Sequence, residues 1–249
     1  MRCADALNSP AASQSPLALC RACRLAPPPF VRAVSYGVYQ GRLRDAIHVL
    51  KYGRLQPAAR GLGRLLAEAI AQLAGEAPSE MLVIPVPLHR RKYAQRGFNQ
   101  ARWLAVEALR VLRNSHPQWK LTLAPRALMR LRQTESQAGL TPRQRRLNVR
   151  GAFSVSDRSK VQDKNVLIVD DILTTGATAR AAAQALAGAG AESVWVATLA
   201  RARRVYRFDG EPVYADLPGG EKAIAAEGAS RPGSGSSSES WLAPGAGAF

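Results

Sequence analysis

Long apolar runs are missing from this 249-residue chain. No stretch of about 18 apolar residues occurs, so no membrane-spanning helix is expected. The N-terminus lacks a charged segment followed by an apolar block, which argues against a secretory signal. The two absences together predict a cytoplasmic location. Acids are scarce and unevenly placed. Residues 209–249 hold six acids and two bases, leaving 33 bases and 12 acids, a net +21, on residues 1–208. Such a field attracts polyanions; the plainer alternative is arginine spread over solvated faces. Aromatics are sparse, with Tyr36, Tyr39, Tyr52, Tyr93, Phe98 and Trp103 scattered in a way that also suits a core. No Ser-His-Asp or Cys-His arrangement points to a covalent nucleophile. No Gly-x-Gly-x-x-Gly follows the apolar run at 166–169, and no lysine lies between Asn165 and Arg180, which excludes a Walker-type loop there.

The most informative segment present is residues 165–179, Asn-Val-Leu-Ile-Val-Asp-Asp-Ile-Leu-Thr-Thr-Gly-Ala-Thr-Ala. Residues 166–169 read as a strand buried on both faces. Asp170 and Asp171 then fall at the carboxyl end, where open α/β sheets place ligands. Thr174, Thr175, Gly176, Ala177 and Thr178 lie where an Ala-rich helix begins, and backbone N–H groups with hydroxyls there form an anion site. A sugar phosphate with free hydroxyls suits both halves. The bland alternative is a capped helix after a buried strand, with two ordinary loop acids; adjacent carboxylates, however, repel and gain from a cation or a hydroxyl-rich ligand.

The rest of the chain alternates. Helical spacing marks residues 41–51, 62–73, 98–112 and 177–187, and short apolar strands are expected at 81–86, 152–155, 166–169 and 193–199. Strands separated by helices imply βαβ units and a mostly parallel twisted sheet flanked by helices. Residues 209–249, rich in Gly, Pro and Ser, cannot bury enough surface to offset ordering and are expected to form a disordered tail.

Two basic segments stand out. Leu88, His89, Arg90, Arg91 and Lys92 follow a short strand, and with Arg96 they form a cationic stretch without an acid. Residues 127–150 hold six arginines against Glu135, and residues 132–140 show no helical stripe, which suits a mobile lid. Each could instead be a solvated basic turn or a nucleic-acid contact surface; five phosphate contacts to a single strand would give a salt slope near −3.5. At the N-terminus Cys20-Arg-Ala-Cys23 is half of a zinc knuckle and Cys3 a third thiol. Structural zinc wants four ligands; three free thiols are the alternative, and a disulfide is not expected in this compartment.

Residues 166–179 resemble the diphosphoribosyl-binding signature of type I phosphoribosyltransferases. Together with residues 84–101, 132–140 and 145–153, the chain is similar to the ComF-type, competence-associated phosphoribosyltransferase family over about residues 3–201. The resemblance implies a type I phosphoribosyltransferase-like α/β domain at residues 30–208, preceded by a small partial zinc-knuckle segment at 1–29 and followed by the tail at 209–249. It implies that Thr174–Thr178 hold the 5-phosphate of phosphoribosyl diphosphate and that Asp170 and Asp171 accept from the ribose hydroxyls. It assigns Leu88–Lys92 to the diphosphate, with Mg2+ bridging, and Arg132, Gln133, Thr134 and Gln137 to a lid. It also implies a variable acceptor hood at 24–60 and a structural Zn2+ on Cys3, Cys20 and Cys23, with the partner of Cys3 falling just before Met1 if translation starts upstream. The family's association with DNA uptake makes single-stranded DNA a second candidate partner, with a binding or sensing role as the alternative to turnover.

Overall fold

The computed structural model describes residues 3, 20–52, 56–132, 142–202, 204–206 and 212–214. Its centre is a five-stranded, wholly parallel sheet of β1 (Ala33–Val38), β2 (Glu80–Pro85), β3 (Lys120–Leu123), β6 (Asn165–Leu173) and β7 (Ser193–Arg201), in the spatial order β1-β7-β6-β2-β3. The helices are α1 (Arg21–Leu25), α2 (Gly41–Tyr52), α3 (Gln56–Ala71), α4 (Arg90–Arg96), α5 (Gln100–Ser115), α6 (Pro142–Val149) and α7 (Ala177–Gly188). Short β4 (Leu128–Arg130) and β5 (Phe153–Val155) pair antiparallel beside the sheet, as do β8 (Arg204–Tyr206) and β9 (Pro212–Tyr214).

The alternation along β6 explains the two layers. Leu167 and Val169 face one core with α3 and α5, through Leu66, Ile70, Leu104 and Ala108. Val166 and Ile168 face the other, with Ala182, Ala183 and Leu186 of α7. A strand covered on both faces needs apolar residues at every position, and residues 166–169 are all fully buried. Connectivity fixes where a ligand goes. From β2 the chain crosses to β3 on one side, whereas β6, on the other side of β2, crosses away to β7. Strand order therefore reverses between β2 and β6, and the crevice beyond their carboxyl ends is the topological switch point where such sheets bind ligands.

Several expectations need correction. β6 runs on through Asp170 and Asp171 to Leu173, because Asp170, Ile172 and Leu173 keep their register with Thr198, Ala200 and Arg201. The strand at 152–155 forms but joins β4, not the main sheet. Within the segment 24–60, expected as the acceptor hood, β1 is the edge strand beside β7, and Ile47 and Leu50 of α2 lie in the main core. Regular structure also continues past residue 208 into β9. The other residues assigned to the tail lie outside the described residues.

Candidate active site

The loops that leave β2 and β6 are neighbours. Pro85 is in register with Val169, and Val86 N donates to Val169 O at 2.9 Å. Beyond β2 the chain makes α4 instead of an open loop. His89 is its N-cap, Nδ1 accepting from Arg91 N at 3.3 Å, and Gly97 closes it. Seven residues with no buried member offer no helical stripe to read, which is why the sequence suggested a loop. Arg90 and Arg91 are exposed on its first turn; Leu88, His89 and Lys92 are half-buried.

Beyond β6 lies the expected turn. Gly176 sits at φ 78°, in the left-handed region that glycine enters without steric cost, and α7 starts directly after it. Thr175 Oγ1 accepts from Ala177 N at 3.2 Å. Thr174, Thr175 and Thr178 are half-buried and Ala177 is buried, so residues 174–178 form one compact helix start beside α4's strand.

The two carboxylates divide between the faces of the sheet, as consecutive strand residues must. Asp171 is 5 % exposed and forms an ion pair of 3.1 Å with Lys51 of α2. Burial works against the Lys51 ammonium, but Asp171, and behind it Asp170, outweigh that and hold its pKa above the ordinary value. Asp170 is on the other face, half-buried, its Oδ1 accepting from Asp171 N at 2.9 Å. Desolvation, then the Asp171 charge, push its pKa from 3.8 to about 7, against the pull of Lys51 and Arg130. Arg130, on β4, stacks over the Phe153 ring at 5.4 Å; burial lowers its pKa and Asp170 opposes that. Burial also lowers the Lys92 pKa, with Arg130, Arg96 and Lys51 adding repulsion. Lys51 and Arg130 thus act on the carboxylates at the switch point, with Lys92 near both cations and Arg96 near Lys92. The cluster carries an excess of positive charge, as an anionic ligand requires.

Residue-pattern reading missed Lys51, Arg130 and Arg201. Arg201, at the end of β7, is 5 % exposed and donates through Nη1 to Leu173 O at 2.7 Å and to Thr174 O, bracing the residues that lead into the turn. Lys51 ends a helix and Arg130 lies on a three-residue strand, so no local motif marks either. The only available signal was a cation at an element's end. Of the lid residues, Arg132 is exposed and its Nη1 donates to Arg150 O at 2.9 Å, which joins the segment's start to the end of α6. Gln133, Thr134 and Gln137 lie outside the described residues.

The three thiols meet. The sulfurs of Cys3, Cys20 and Cys23 all lie within 4.8 Å of one another, close enough to hold a metal. Cys3 and Cys20 sulfurs are 3.3 Å apart. Mutual hydrogen bonding, then burial, raise the Cys23 thiol, and the Cys20 contact raises Cys3. Just after Cys23, Arg180 of α7 donates to Ala26 O at 2.8 Å and Pro27 O at 3.2 Å.

A parallel sheet with a cationic α4, a carboxylate pair and a glycine turn at its switch point defines a phosphoribosyltransferase-type domain. A phosphoribosyl transferase domain model matches residues 107–215. The DNA utilization protein YhgH of Escherichia coli O157:H7 is 36 % identical over 73 % of this chain and 77 % of its own length. Competence protein F of Haemophilus influenzae is 30 % identical over 74 % and 78 %. Hypoxanthine-guanine phosphoribosyltransferase of Schistosoma mansoni, solved with IMP, is 20 % identical over 66 % of this chain and 63 % of that one, at a TM-score of 0.36. The chain belongs to the ComF-type phosphoribosyltransferase family. No helix among the described residues is long and apolar enough to cross a membrane.

Proposed function

We propose that the protein is a cytoplasmic enzyme that binds phosphoribosyl diphosphate and transfers the phosphoribosyl group to an acceptor, most simply a nitrogen nucleophile, in the handling of DNA. The observation that carries this reading is the pairing of two strand ends: Asp170 near the end of β6 and the glycine turn after it stand beside the end of β2, which leads into cationic α4. The helix start at residues 174–178 takes the 5-phosphate on backbone N–H groups and threonine hydroxyls. Asp170 takes the ribose hydroxyls; Asp171, expected to share them, lies on the opposite face in its ion pair with Lys51. Arg90, Arg91 and Lys92 hold the diphosphate, and fixed cations there stabilise the charge that gathers as the C1–O bond breaks. Arg132, Gln133, Thr134 and Gln137 close over the sugar, keeping water from the oxocarbenium-like carbon. Catalysis is then positioning and charge stabilisation.

The half-buried Asp170 carboxylate offers the oxygen donors that a hard cation takes. Mg2+ bound with the diphosphate would neutralise charge on the leaving group. Cys3, Cys20 and Cys23 supply three thiolates of the soft type that zinc prefers. Metal analysis of the purified protein is expected to find about one zinc per chain, and Cys23→Ser is expected to remove most of it; a wild-type protein free of zinc contradicts the assignment.

The pH dependence follows in sign from Asp170. In the ligand-free protein its carboxyl takes up a proton near pH 7, and only the carboxylate accepts from two hydroxyls. Affinity for phosphoribosyl diphosphate is therefore expected to rise from pH 6 to pH 8, by up to about tenfold per unit below the pKa. The group's effect on ligand-free stability runs the other way. Its raised pKa favours the fold below pH 3.8, and that contribution is lost as pH climbs through about 7. Turnover itself is tested by diphosphate release across a panel of amine and nucleobase acceptors, with Asp170→Asn as control; release that depends on both an acceptor and Asp170 supports transfer, and release by the variant at the wild-type rate refutes it.

A further inference from the structure

Helices α3 and α5 enclose a cavity of about 540 Å³. It is separate from the switch point: none of Asp170, Asp171, residues 174–178 or residues 88–92 lines it. The two helices touch beside it because Gly63 puts no side chain between them. A Cβ there would collide with that of Glu107 and lie 3.3 Å from Ala108 N. Arg60 and Arg64 line the cavity from α3, and Arg110 and Asn114 line it from α5. Each pair is one helical turn apart and so shares a face. Three guanidinium groups from two helices therefore surround one hollow.

All three arginines are exposed, and among the described residues no carboxylate lies within ion-pair distance of any of them. Half-buried Glu107 is the one acid among the lining residues, so three cations against one acid leave a net +2. Like charges one turn apart, as at Arg60 and Arg64, cost helix stability. An anion held between them removes that cost.

Size and lining narrow the class of ligand. Small-molecule sites span about 300–1,000 Å³, and this cavity falls inside that range. No aromatic residue lines it, so nothing there stacks a planar ring. Guanidinium forks match phosphate oxygens two at a time, and the Asn114 amide and Ser115 hydroxyl add neutral donors.

We propose that the α3–α5 cavity is a second anion site, which binds a small phosphate compound carrying two or more negative charges and no aromatic ring. Two charges suffice to match the +2 lining with Glu107 still ionised. The site stands whether or not the switch point binds phosphoribosyl diphosphate, since the two share no residue.

The experiment is calorimetric titration of the full chain with sodium tripolyphosphate at physiological ionic strength. The cations of α4 also attract this probe, so two variants separate the sites. Binding at the cavity is expected to survive Arg90→Gln with Arg91→Gln, and to disappear when Arg60, Arg64 and Arg110 are all changed to Gln. Gln forms helix about as well as Arg, so the triple variant is expected to melt no lower than wild type. Arg110→Glu alone is expected to weaken the cavity's binding about tenfold or more, which keeps the test valid should the triple variant misfold. No binding by wild type, or binding that both cavity variants retain in full, overturns the proposal. Citrate bound there as tightly as tripolyphosphate overturns the phosphate class. Adenosine 5′-phosphate bound there more tightly than ribose 5-phosphate overturns the exclusion of an aromatic ring.

Discussion

Lys51→Met is expected to lower unfolding stability by about 3 kcal/mol or more, although Lys51 lies far in sequence from any motif. Asp171 is 5 % exposed and Lys51 is its partner at 3.1 Å. Removing one member of a buried pair strands the other charge in a poorly solvated place, which costs about 3–5 kcal/mol. The Lys51 side chain is 19 % exposed, so some water reaches it and the lower end of that range applies. With ordinary urea slopes of about 1–3 kcal/mol per molar, the midpoint should drop by more than about 1 M. The companion variant Lys51→Met with Asp171→Leu should recover most of the loss, since neither charge then remains. A single variant that melts like wild type would show that the pair contributes nothing.

Asp170→Asn is expected to leave the fold intact and to cost binding. Its carboxylate is already disfavoured in the ligand-free protein, with its proton held up to about pH 7, so a neutral amide at that place does not destabilise. Stability above pH 7 should even rise. The ligand complex loses an ionised acceptor for the ribose, worth about 1.5–3 kcal/mol per hydrogen bond, or about 10- to 150-fold in Kd. Unchanged affinity in the variant would remove Asp170 from the ribose. The two acids are not equivalent test positions. Changing Asp171 also strips Lys51 of its counter-charge, so a double amide variant mixes lost binding with lost stability, and the single change at 170 is the clean one.

The contrast between these acids shows where sequence reading reached and where it stopped. The run at 166–169, the acid pair and the glycine turn were legible because each has a local cause: a doubly buried strand needs unbroken apolar residues, and a left-handed turn needs Gly176. The same local patterns located α2, α3, α5 and α7. β1 escaped because Ser35 and Gly37 interrupt its apolar residues. α4 escaped because a helix with no buried face has no stripe. The cations beside the acids come from α2, β4 and β7, and only long-range packing, of the sheet and of the β4–β5 pair beside it, brings Lys51 and Arg130 near Asp170 and Arg201 against Leu173. That order is a long-range property of packing. It also divides Asp170 from Asp171, a separation that period-two geometry implies once the strand is known to continue to Leu173.

The Cys cluster is tied to this site by two arginines. Arg180 grips the carbonyls of Ala26 and Pro27 from the helix that starts at the glycine turn, and Arg201 braces Leu173 and Thr174. Arg201 is also close enough for its charge to favour the Cys3 thiolate. Residues 26 and 27 therefore contact the helix that begins at the glycine turn.

Binding of phosphoribosyl diphosphate at the β2–β6 switch point, as proposed, is open to direct measurement. Calorimetric titration of the full chain with phosphoribosyl diphosphate and Mg2+ at pH 8 tests it most directly. Saturable one-to-one binding is expected, weakening about 10-fold or more in Asp170→Asn. Absence of binding by the folded wild-type protein, or equal binding by both, would contradict it.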